Sequence, residues 1–518
     1  MLYLGIEQDR ERLRQAALLL EAENKRLVDK NLELTRKLLK LEGMSEENLQ
    51  MRLLQLEEQL AQRNRALFGK SSEKRPSEAV PAPDAPAAAP KPPQKGHGPR
   101  EQVLLPIVEK LHVLDAPDMQ CPSCGGTLTP WNGQFEESEE VDVIERRFVV
   151  NKHKRQKYRC SCNACVETAP APVKLFEGAR YSIDFAVEVA TQKYADHLPL
   201  ERQARIFERE GLAVDSQTLW DQLNALCQVL EPLHEKLHQA VLSAPVVGAD
   251  ETRWEVLKSR GQKPEEAGRW FDWTLSSPDV VYHQVLRTRS AADAKQVLGG
   301  YSGTVMADGY EVYQKLKRDG ASFQLAACWA HVRRGFVKAE PHFPVQSTQA
   351  IELIGKLYEV ERAAPGADEA TLAKRHKLRQ ERSMPLLAQL KEWAQAQAPR
   401  TLPESSLGRA ISYMLHLWTP LSLFLSDARI PLDNNSTERG LRGLVVGRKN
   451  HYGSRSKRGT EVASVFYSLI ETCKRVGVEP KQYLRDAALS RLRDGVDYLL
   501  PHQLAARAPA TGSPASLA

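Results

Sequence analysis

A chain of 518 residues is longer than one hydrophobic core usually supports, so the sequence predicts several domains. Its 72 Lys and Arg against 66 Asp and Glu give a net charge of only +6. Any affinity for nucleic acid must therefore come from local basic clusters and not from the total charge. No apolar run approaches the roughly 18 to 20 residues that cross a bilayer, and the first residues lack the order of a secretory signal. We therefore expect a cytoplasmic protein with no membrane contact.

The first segment, residues 1–70, repeats Leu every seven residues, at Leu13, Leu20, Leu27, Leu34 and Leu41. With these at heptad position d, Asn24 and Asn31 fall at position a, where Asn favours a two-stranded, in-register pair. We predict a coiled-coil dimerisation zipper that gives a homodimer. A helix packed on its own chain is the alternative.

Residues 76–100 contain eight prolines together with Ala and Lys and almost no large apolar side chain. Such a composition cannot bury enough surface to fold, so it predicts a disordered, extended linker. This linker separates the zipper from the rest of the chain.

Five of the eight cysteines lie between residues 121 and 165, which in a reducing compartment indicates metal binding. Two Cys-x-x-Cys pairs about 40 residues apart suit a tetrahedral zinc ribbon within residues 101–175. The predicted Zn²⁺ ligands are Cys121, Cys124, Cys162 and Cys165, with Cys160 as the spare, and which four of the five bind stays open. We expect the three scattered cysteines to be buried small apolar side chains: Cys227, Cys328 and Cys473.

Between these cysteines a basic, strand-like run includes Arg155 and Lys157, which we predict to contact DNA phosphates. A solvated strand face is the alternative. Residues 183–242 then show helical periodicity, with two amphipathic helices joined by a Gly-containing turn and Asp215 or Ser216 capping the second. A helix-turn-helix that binds DNA and plain helical packing both stay open for this pair.

Strand patterns begin at residue 244. A short apolar strand is predicted to end on Asp250, two further strands follow, and a second buried strand is predicted to end on Asp308. A carboxylate at the end of a strand is fixed in position yet open to solvent. If the two strands are neighbours in one sheet, their carboxylates can share a metal ion.

A later segment supplies a third acid. Asp433, Asn434 or Asn435 can cap a helix whose first turns carry Glu438, which would project toward the strand ends. Asp427 and Asp433 are rival acids, and Asp433 is better placed as a cap. Two divalent ions about 3.5 to 4 Å apart promote in-line displacement at phosphorus, and magnesium suits an all-carboxylate site.

Basic residues on and after this helix form a dense cluster that we predict to contact DNA: Arg439, Arg442, Arg448, Lys449 and Arg455. A merely solvated face is the alternative. His331, in the sequence Cys-Trp-Ala-His, is either a satisfied helix histidine or a residue near the phosphate, and the sequence does not choose between them.

In these residues and their order the chain resembles the insertion-sequence sixty-six family of transposases, members of the DDE class with an RNase H-like core. The resemblance runs from about residue 13 to residue 489 and includes the zipper, LFGKSSEK, CPSCGG, GADETRW, ADGY, CWAHVRRGF, PLDNNSTERGLR and RKNHYGS. It implies that Asp250, Asp308 and Glu438 are the catalytic Asp, Asp and Glu, which bind Mg²⁺ or Mn²⁺. The extra Cys160 departs from the family pattern and leaves the zinc ligands open.

The resemblance implies a multidomain chain with a coiled coil, a zinc ribbon and an α/β RNase H-like core at residues 244–475. A helical insertion is expected at about residues 343–426, and a helical segment with a disordered tail at residues 476–518. The implied activity is metal-dependent cleavage at transposon ends and strand transfer into target DNA, in a bacterial, nucleoid-associated protein with accessory proteins of the same element as possible partners. The alternatives are a catalytically inactive zinc-containing DNA-binding regulator and a nuclease that cuts without joining.

Overall fold

The computed structural model describes residues 148–159, 166–258 and 267–507, with isolated positions at 25, 26, 29, 30, 33, 34, 123 and 127. The predicted linker and all five clustered cysteines lie outside the described residues, as does the zipper apart from helical backbone at the six positions between 25 and 34. The chain divides into two units, residues 1–68 with 147–518 and residues 69–146, and the elements below belong to the first. In the described part, no helix is long and apolar enough to cross a membrane.

The described strands form two sheets. β1 (Lys157–Arg159) and β2 (Val166–Thr168) pair antiparallel with each other. The larger sheet contains β3 (Val246–Val256), β4 (Gly268–Ser276), β5 (Val281–Leu286), β6 (Thr304–Ala307) and β7 (Gln324–Ala327). Its strand order is β5-β4-β3-β6-β7, in which β3, β4 and β5 are antiparallel neighbours and β6 and β7 run parallel to β3. The fold is therefore a mixed α/β fold.

Helices precede, connect and follow these strands. They are α1 (Ile183–Tyr194), α2 (Leu200–Arg209), α3 (Ser216–Leu242), α4 (Ala291–Leu298), α5 (Glu311–Arg318), α6 (Trp329–Ala339), α7 (Pro344–Arg362), α8 (Glu369–Leu378), α9 (Met384–Gln397), α10 (Ser406–His416), α11 (Trp418–Ser422), α12 (Asn435–His451), α13 (Lys457–Arg475), α14 (Pro480–Asp494) and α15 (Pro501–Arg507). Asp215 caps α3, as predicted, because its carboxylate accepts the Thr218 backbone N–H at 2.7 Å.

The two faces of the larger sheet are covered by different helices. Side chains alternate along a strand, so Trp254 of β3 points to one face, where its ring lies 5.9 Å from the His451 ring at the end of α12. Tyr282 of β5 points to the other face and stacks on His234 of α3 with ring centroids 4.6 Å apart. The three scattered cysteines are buried and form no disulfide, as predicted: Cys227, Cys328 and Cys473.

Helices α7 to α11 lie between α6 and α12 in the chain, and α7, α9, α10 and α11 share a second hydrophobic core with α6 and the ends of β6 and β7. Arg379, in the π-helical turn that joins α8 and α9, is fully buried there. Its guanidinium binds both carboxylate oxygens of Glu361 on α7, at 2.8 and 2.7 Å. It also donates to the backbone carbonyls of Phe424, Asp427 and Ile430. One buried cation therefore ties α7 and α8 to the segment that leads into α12.

β5 is an edge strand, and α13 covers its outer backbone. The hydroxyls of Ser464, Ser468 and Thr472 accept hydrogen bonds from the backbone N–H groups of Val285, His283 and Val281 at 3.0, 2.8 and 3.0 Å. These hydroxyls recur every four residues of the helix, a rise of about 6 Å, which nearly matches the roughly 6.6 Å between alternate residues of a strand. We call this set the hydroxyl ladder. It satisfies the edge backbone that a sixth strand would otherwise pair with.

Candidate active site

Asp250 lies within β3 and not at its end. The prediction of a strand ending there was wrong, because β3 continues in antiparallel pairing with β4 as far as Val256 opposite Gly268. On its other side, parallel pairing with β6 ends at Gly248 opposite Met306. Asp250 is thus held rigidly on one side and lies beyond the last paired residue on the other.

The second predicted strand, β6, ends at Ala307, one residue before Asp308, and β6 is the neighbour of β3. Continuing the parallel register by two residues places Asp308 opposite Asp250. One oxygen of Asp308 accepts the Tyr310 backbone N–H at 2.9 Å, and one oxygen of Asp250 accepts the Glu251 backbone N–H at 2.8 Å. Within the described chain no other hydrogen bond is recorded for these two carboxylates.

The first turn of α12 carries Glu438 and lies directly against β3. The side-chain amide of Asn434 donates to the Ala249 carbonyl at 2.8 Å, next to Asp250 in the chain. A β-carbon at position 248 would overlap Thr437 Oγ1, so glycine there is what allows the helix to come this close. This close approach brings the third acid to the two strand acids.

The helix start also shows what the rival acids do. Asn434 occupies the N-cap position of α12, but its side chain is turned toward β3: the amide NH2 donates to Ala249, and the Oδ1 that would accept a cap bond has no partner in the described chain. Asp433 accepts the backbone N–H of Asn435 at 3.1 Å, which supports its assignment to the helix start. Asp427 forms an ion pair with Arg429 at 2.7 Å. Both rivals are therefore engaged by other groups.

Electrostatics link the three predicted acids. The pKa of Asp250 is raised to about 7, chiefly by burial and then by the negative charges of Glu251, Asp308 and Glu438. One oxygen of Glu438, Oε1, is buried and accepts no hydrogen bond within the described chain. The three carboxylates therefore lie close enough for their negative charges to repel one another.

Mutually repelling carboxylates with a buried, unbonded oxygen fit a hard divalent cation, which prefers oxygen ligands. Among the residues that the structure describes, no group of three or more His, Cys, Asp or Glu side chains is already arranged to hold a metal ion. The three acids thus lie near enough to interact and would have to close further to coordinate one ion together.

Two basic side chains of α6 face the third acid. His331 Nε2 lies 3.8 Å from one oxygen of Glu438, and an Arg334 guanidinium nitrogen lies 3.9 Å from the other. His331 Nδ1 is buried and has no hydrogen-bond partner in the described chain. No group of the described chain thus lies within hydrogen-bond distance of the His331 side-chain nitrogens. Sequence reasoning did not single out Arg334, although it lies one helical turn after His331.

A second polar layer on the opposite face of β3 was missed. The Glu251 side chain is only 1% exposed, forms an ion pair with Arg289, and accepts the Tyr313 hydroxyl at 2.9 Å. The Arg289 guanidinium lies 3.9 Å from the centre of the Tyr310 ring, and the Tyr310 backbone binds the second predicted Asp. Consecutive side chains of a strand point to opposite faces, so Glu251, which directly follows Asp250 in β3, lies on the other face of the sheet. Two consecutive acids within a strand are the sequence pattern that could have identified this layer.

The predicted DNA contacts divide into two groups. Arg448 donates to the backbone of β3, Arg455 pairs with Glu201 at 3.3 Å, and Arg155 donates to a backbone carbonyl at 2.6 Å. These three guanidinium groups therefore form hydrogen bonds or ion pairs within the fold. The other predicted contacts are exposed and their side chains make no hydrogen bond or ion pair within the described chain: Lys157, Arg439, Arg442 and Lys449.

Two family models match the chain. The model described as "Transposase IS66 family" matches residues 178–462, more than half of the chain, and this range contains all three predicted catalytic acids. The model described as "zinc-finger binding domain of transposase IS66" matches residues 118–163. The second range contains Cys160 and ends before Cys165.

Similar proteins include two from Sinorhizobium fredii (strain NBRC 101917 / NGR234), named y4jD and y4qI, each 30% identical to this chain. The first matches over 74% of this chain and 76% of its own length, and the second over 80% and 76%. A solved structure titled "Crystal structure of the Mos1 Strand Transfer Complex" matches at 13% identity over 42% of this chain and 78% of that chain, with a TM-score of 0.13. At this TM-score the likeness supports no argument about the fold.

Proposed function

Because the chain belongs to the IS66 family of transposases, we propose that it is a DDE-type enzyme that cuts DNA at transposon ends and joins the freed 3′ ends to target DNA. The observation that carries this proposal is the convergence of Asp250, Asp308 and Glu438 into one cluster of mutually repelling carboxylates. Three acids from two neighbouring strands and a helix are a set that can bind the divalent ions of phosphoryl transfer.

The proposed catalytic domain is an RNase H-like core at residues 244–475. The mixed five-stranded sheet supports this assignment, with its first three strands antiparallel and its last two parallel to β3. Helices α7 to α11 form the proposed insertion between the second and third acids. The buried Arg379 fixes that insertion to the segment before α12, so the insertion helps to define where the third acid lies.

The acids Asp250, Asp308 and Glu438 would hold Mg²⁺ or Mn²⁺. When bound, such ions activate a water or a 3′ hydroxyl and stabilise the leaving oxygen of an in-line displacement. Partial burial of Asp250 raises the pKa of its carboxyl group, and the close packing at Gly248 fixes the distance between β3 and α12. His331 supplies ring nitrogens and an N–H group at the edge of the cluster, where a phosphate oxygen can accept a hydrogen bond.

The other domains are proposed to assemble and position the enzyme on DNA. The zinc-finger domain is proposed to bind one Zn²⁺ through Cys121, Cys124, Cys162 and Cys165. Residues 1–70 are proposed to form the coiled-coil homodimer. Sedimentation of a peptide covering these residues tests the second point, and a monomer at micromolar concentration would contradict it.

The catalytic proposal is tested on a supercoiled plasmid that carries the gene with its flanking DNA, incubated with purified protein and Mg²⁺. Wild type should cut at the ends of the element and give joined products. Asp250→Asn, Asp308→Asn and Glu438→Gln keep side-chain size but remove the charge that holds a hard cation, so each should abolish both products. DNA binding by these variants should persist, because binding does not depend on the trio.

Asp433→Asn is the matched control. Loss of the Asp433 negative charge should cost on the order of 1 kcal/mol of local stability at the start of α12 and leave substantial cleavage. Robust cleavage by any one of the three trio variants would overturn the assignment, and abolition by Asp433→Asn alone would move the third acid five residues upstream. Cut but unjoined products would identify a nuclease, and DNA binding by wild type without cleavage would identify a regulator.

A further inference from the structure

Tyr452 is an unusual residue at the end of α12. Its backbone is left-handed, with φ 61° and ψ 17°, a conformation that bulky side chains rarely adopt and that Gly or Asn normally supplies at this position of a helix. The backbone N–H still ends the helix by donating to the Arg448 carbonyl at 2.7 Å. The side chain, in contrast, is 69% exposed and packs into no core. The fold therefore does not account for tyrosine at position 452.

The turn that carries Tyr452 is clamped to the sheet. Gly453 follows with φ 98°, and a β-carbon there would overlap the Glu255 carbonyl of β3. The Ser454 backbone N–H donates to that same carbonyl at 2.9 Å, and the Trp254 indole N–H donates to the Ser454 hydroxyl at 3.1 Å. The tyrosine ring is consequently presented to solvent from a rigid support.

One face of α12 leads from the proposed active site to this ring. Arg442, Val446 and Lys449 follow Glu438 at helical spacing, and all three are exposed. Within the described chain the side chains of Arg442 and Lys449 make no ion pair or hydrogen bond. At 1.5 Å per residue, the face extends about 20 Å from Glu438 to Tyr452, roughly the length of six nucleotides of one DNA strand.

We propose that this face of α12 is a DNA path, on which Arg442 and Lys449 hold backbone phosphates and the Tyr452 ring stacks on an unpaired base. The inference rests on the proposed transposase function, because it takes the strand held by Arg442 and Lys449 to be the one that reaches the catalytic acids. Two cations without a partner in the described chain are complementary to phosphates, and a rigid exposed aromatic ring offers the flat surface on which any base can stack. A fully paired duplex hides its base faces, so the ring selects a strand end or a single-stranded stretch.

The test measures DNA binding by the full-length protein with no divalent cation, so that no cleavage occurs. The probes are a blunt duplex and the same duplex with a six-nucleotide single-stranded extension. Wild type should bind the extended probe more tightly. Tyr452→Asn suits the left-handed backbone and should keep the melting temperature, yet it should lose on the order of tenfold in affinity for the extended probe alone. Tyr452→Phe should retain the preference, since its ring still stacks.

Arg442→Gln and Lys449→Gln should weaken binding to both probes and each reduce the slope of affinity against salt by about one. Phe176→Ala is the control, since Phe176 is another exposed aromatic residue, at 46%, outside α12. Equal binding of the two probes by wild type, or unchanged preference in Tyr452→Asn, would overturn the inference. Either result leaves the trio variants and their cleavage assay untouched, so failure of this inference is distinguishable from failure of the transposase proposal.

Discussion

The ion pair between Arg289 and Glu251 permits a quantitative prediction about the layer beneath the proposed active site. Removing one partner of a buried ion pair costs about 3 to 5 kcal/mol, because the other charge stays buried and uncompensated. Glu251 is 1% exposed but Arg289 is 36% exposed, so water replaces part of the lost interaction, and we expect about 2 to 3 kcal/mol for Arg289→Met. Adding Glu251→Gln should recover most of this loss, since glutamine still accepts the Tyr313 hydroxyl and carries no charge.

Urea unfolding of the two single variants, the double variant and wild type gives the coupling energy of the pair. Tryptophan fluorescence is a suitable probe because the Trp273 ring lies 6.4 Å from the Tyr313 ring. We expect a coupling of about 2 kcal/mol, against less than about 0.5 kcal/mol for the matched exposed pair Lys315 and Asp319. A coupling no larger than that of the control pair would refute the reasoning that the Glu251 charge depends on Arg289.

Three further predictions concern other parts of the chain. Arg379→Lys cannot reproduce the planar set of donors and should destabilise the proposed insertion by about 3 to 5 kcal/mol in thermal unfolding, whereas the exposed Arg429→Lys should cost little. Purified protein should carry about one zinc per chain by elemental analysis, lost on Ser substitution of each predicted ligand and kept in Cys160→Ser; equal loss at all five cysteines would refute the ligand choice. Burial lowers the pKa of His234 from 6.5 to about 4, so the folded chain keeps this ring neutral while the unfolded chain protonates it. The free energy of unfolding should therefore fall as pH decreases from about 6.5 toward 4, and His234→Phe should flatten that decline in urea titrations.

The sequence predicted four of the five strands of the larger sheet, because short apolar runs rich in β-branched and aromatic residues are typical of buried strands. The sequence placed the end of β6 at Asp308, within one residue of its observed end at Ala307. It failed at Asp250, since the polar residues that follow look like the start of a loop. Pairing with β4 and burial of Trp254 keep them in the strand instead. Tertiary contacts of this kind override local preference.

The helix that carries the third acid shows the same limit. Asn is a residue type that commonly caps helices, yet the side-chain amide of Asn434 donates to the Ala249 carbonyl of β3 instead. Arg448 belongs to a dense basic cluster and was predicted to bind DNA, but packing of α12 on β3 places its guanidinium against backbone. Residue type and spacing indicate which groups are available, and only the packed structure shows which partner each group has.

The hydroxyl ladder of α13 has a consequence for solubility. An uncovered edge strand is a template on which the edge of another molecule can add, and such addition repeats without limit because each new strand exposes its own edge. The hydroxyls of Ser464, Ser468 and Thr472 accept the backbone N–H groups of β5, so these groups are not free to pair with another strand. Because the hydroxyls belong to a helix, the outer side of α13 exposes no new strand edge. The ladder therefore closes the β5 edge to addition by the sheet of another copy and leaves β7 as the other edge of this sheet.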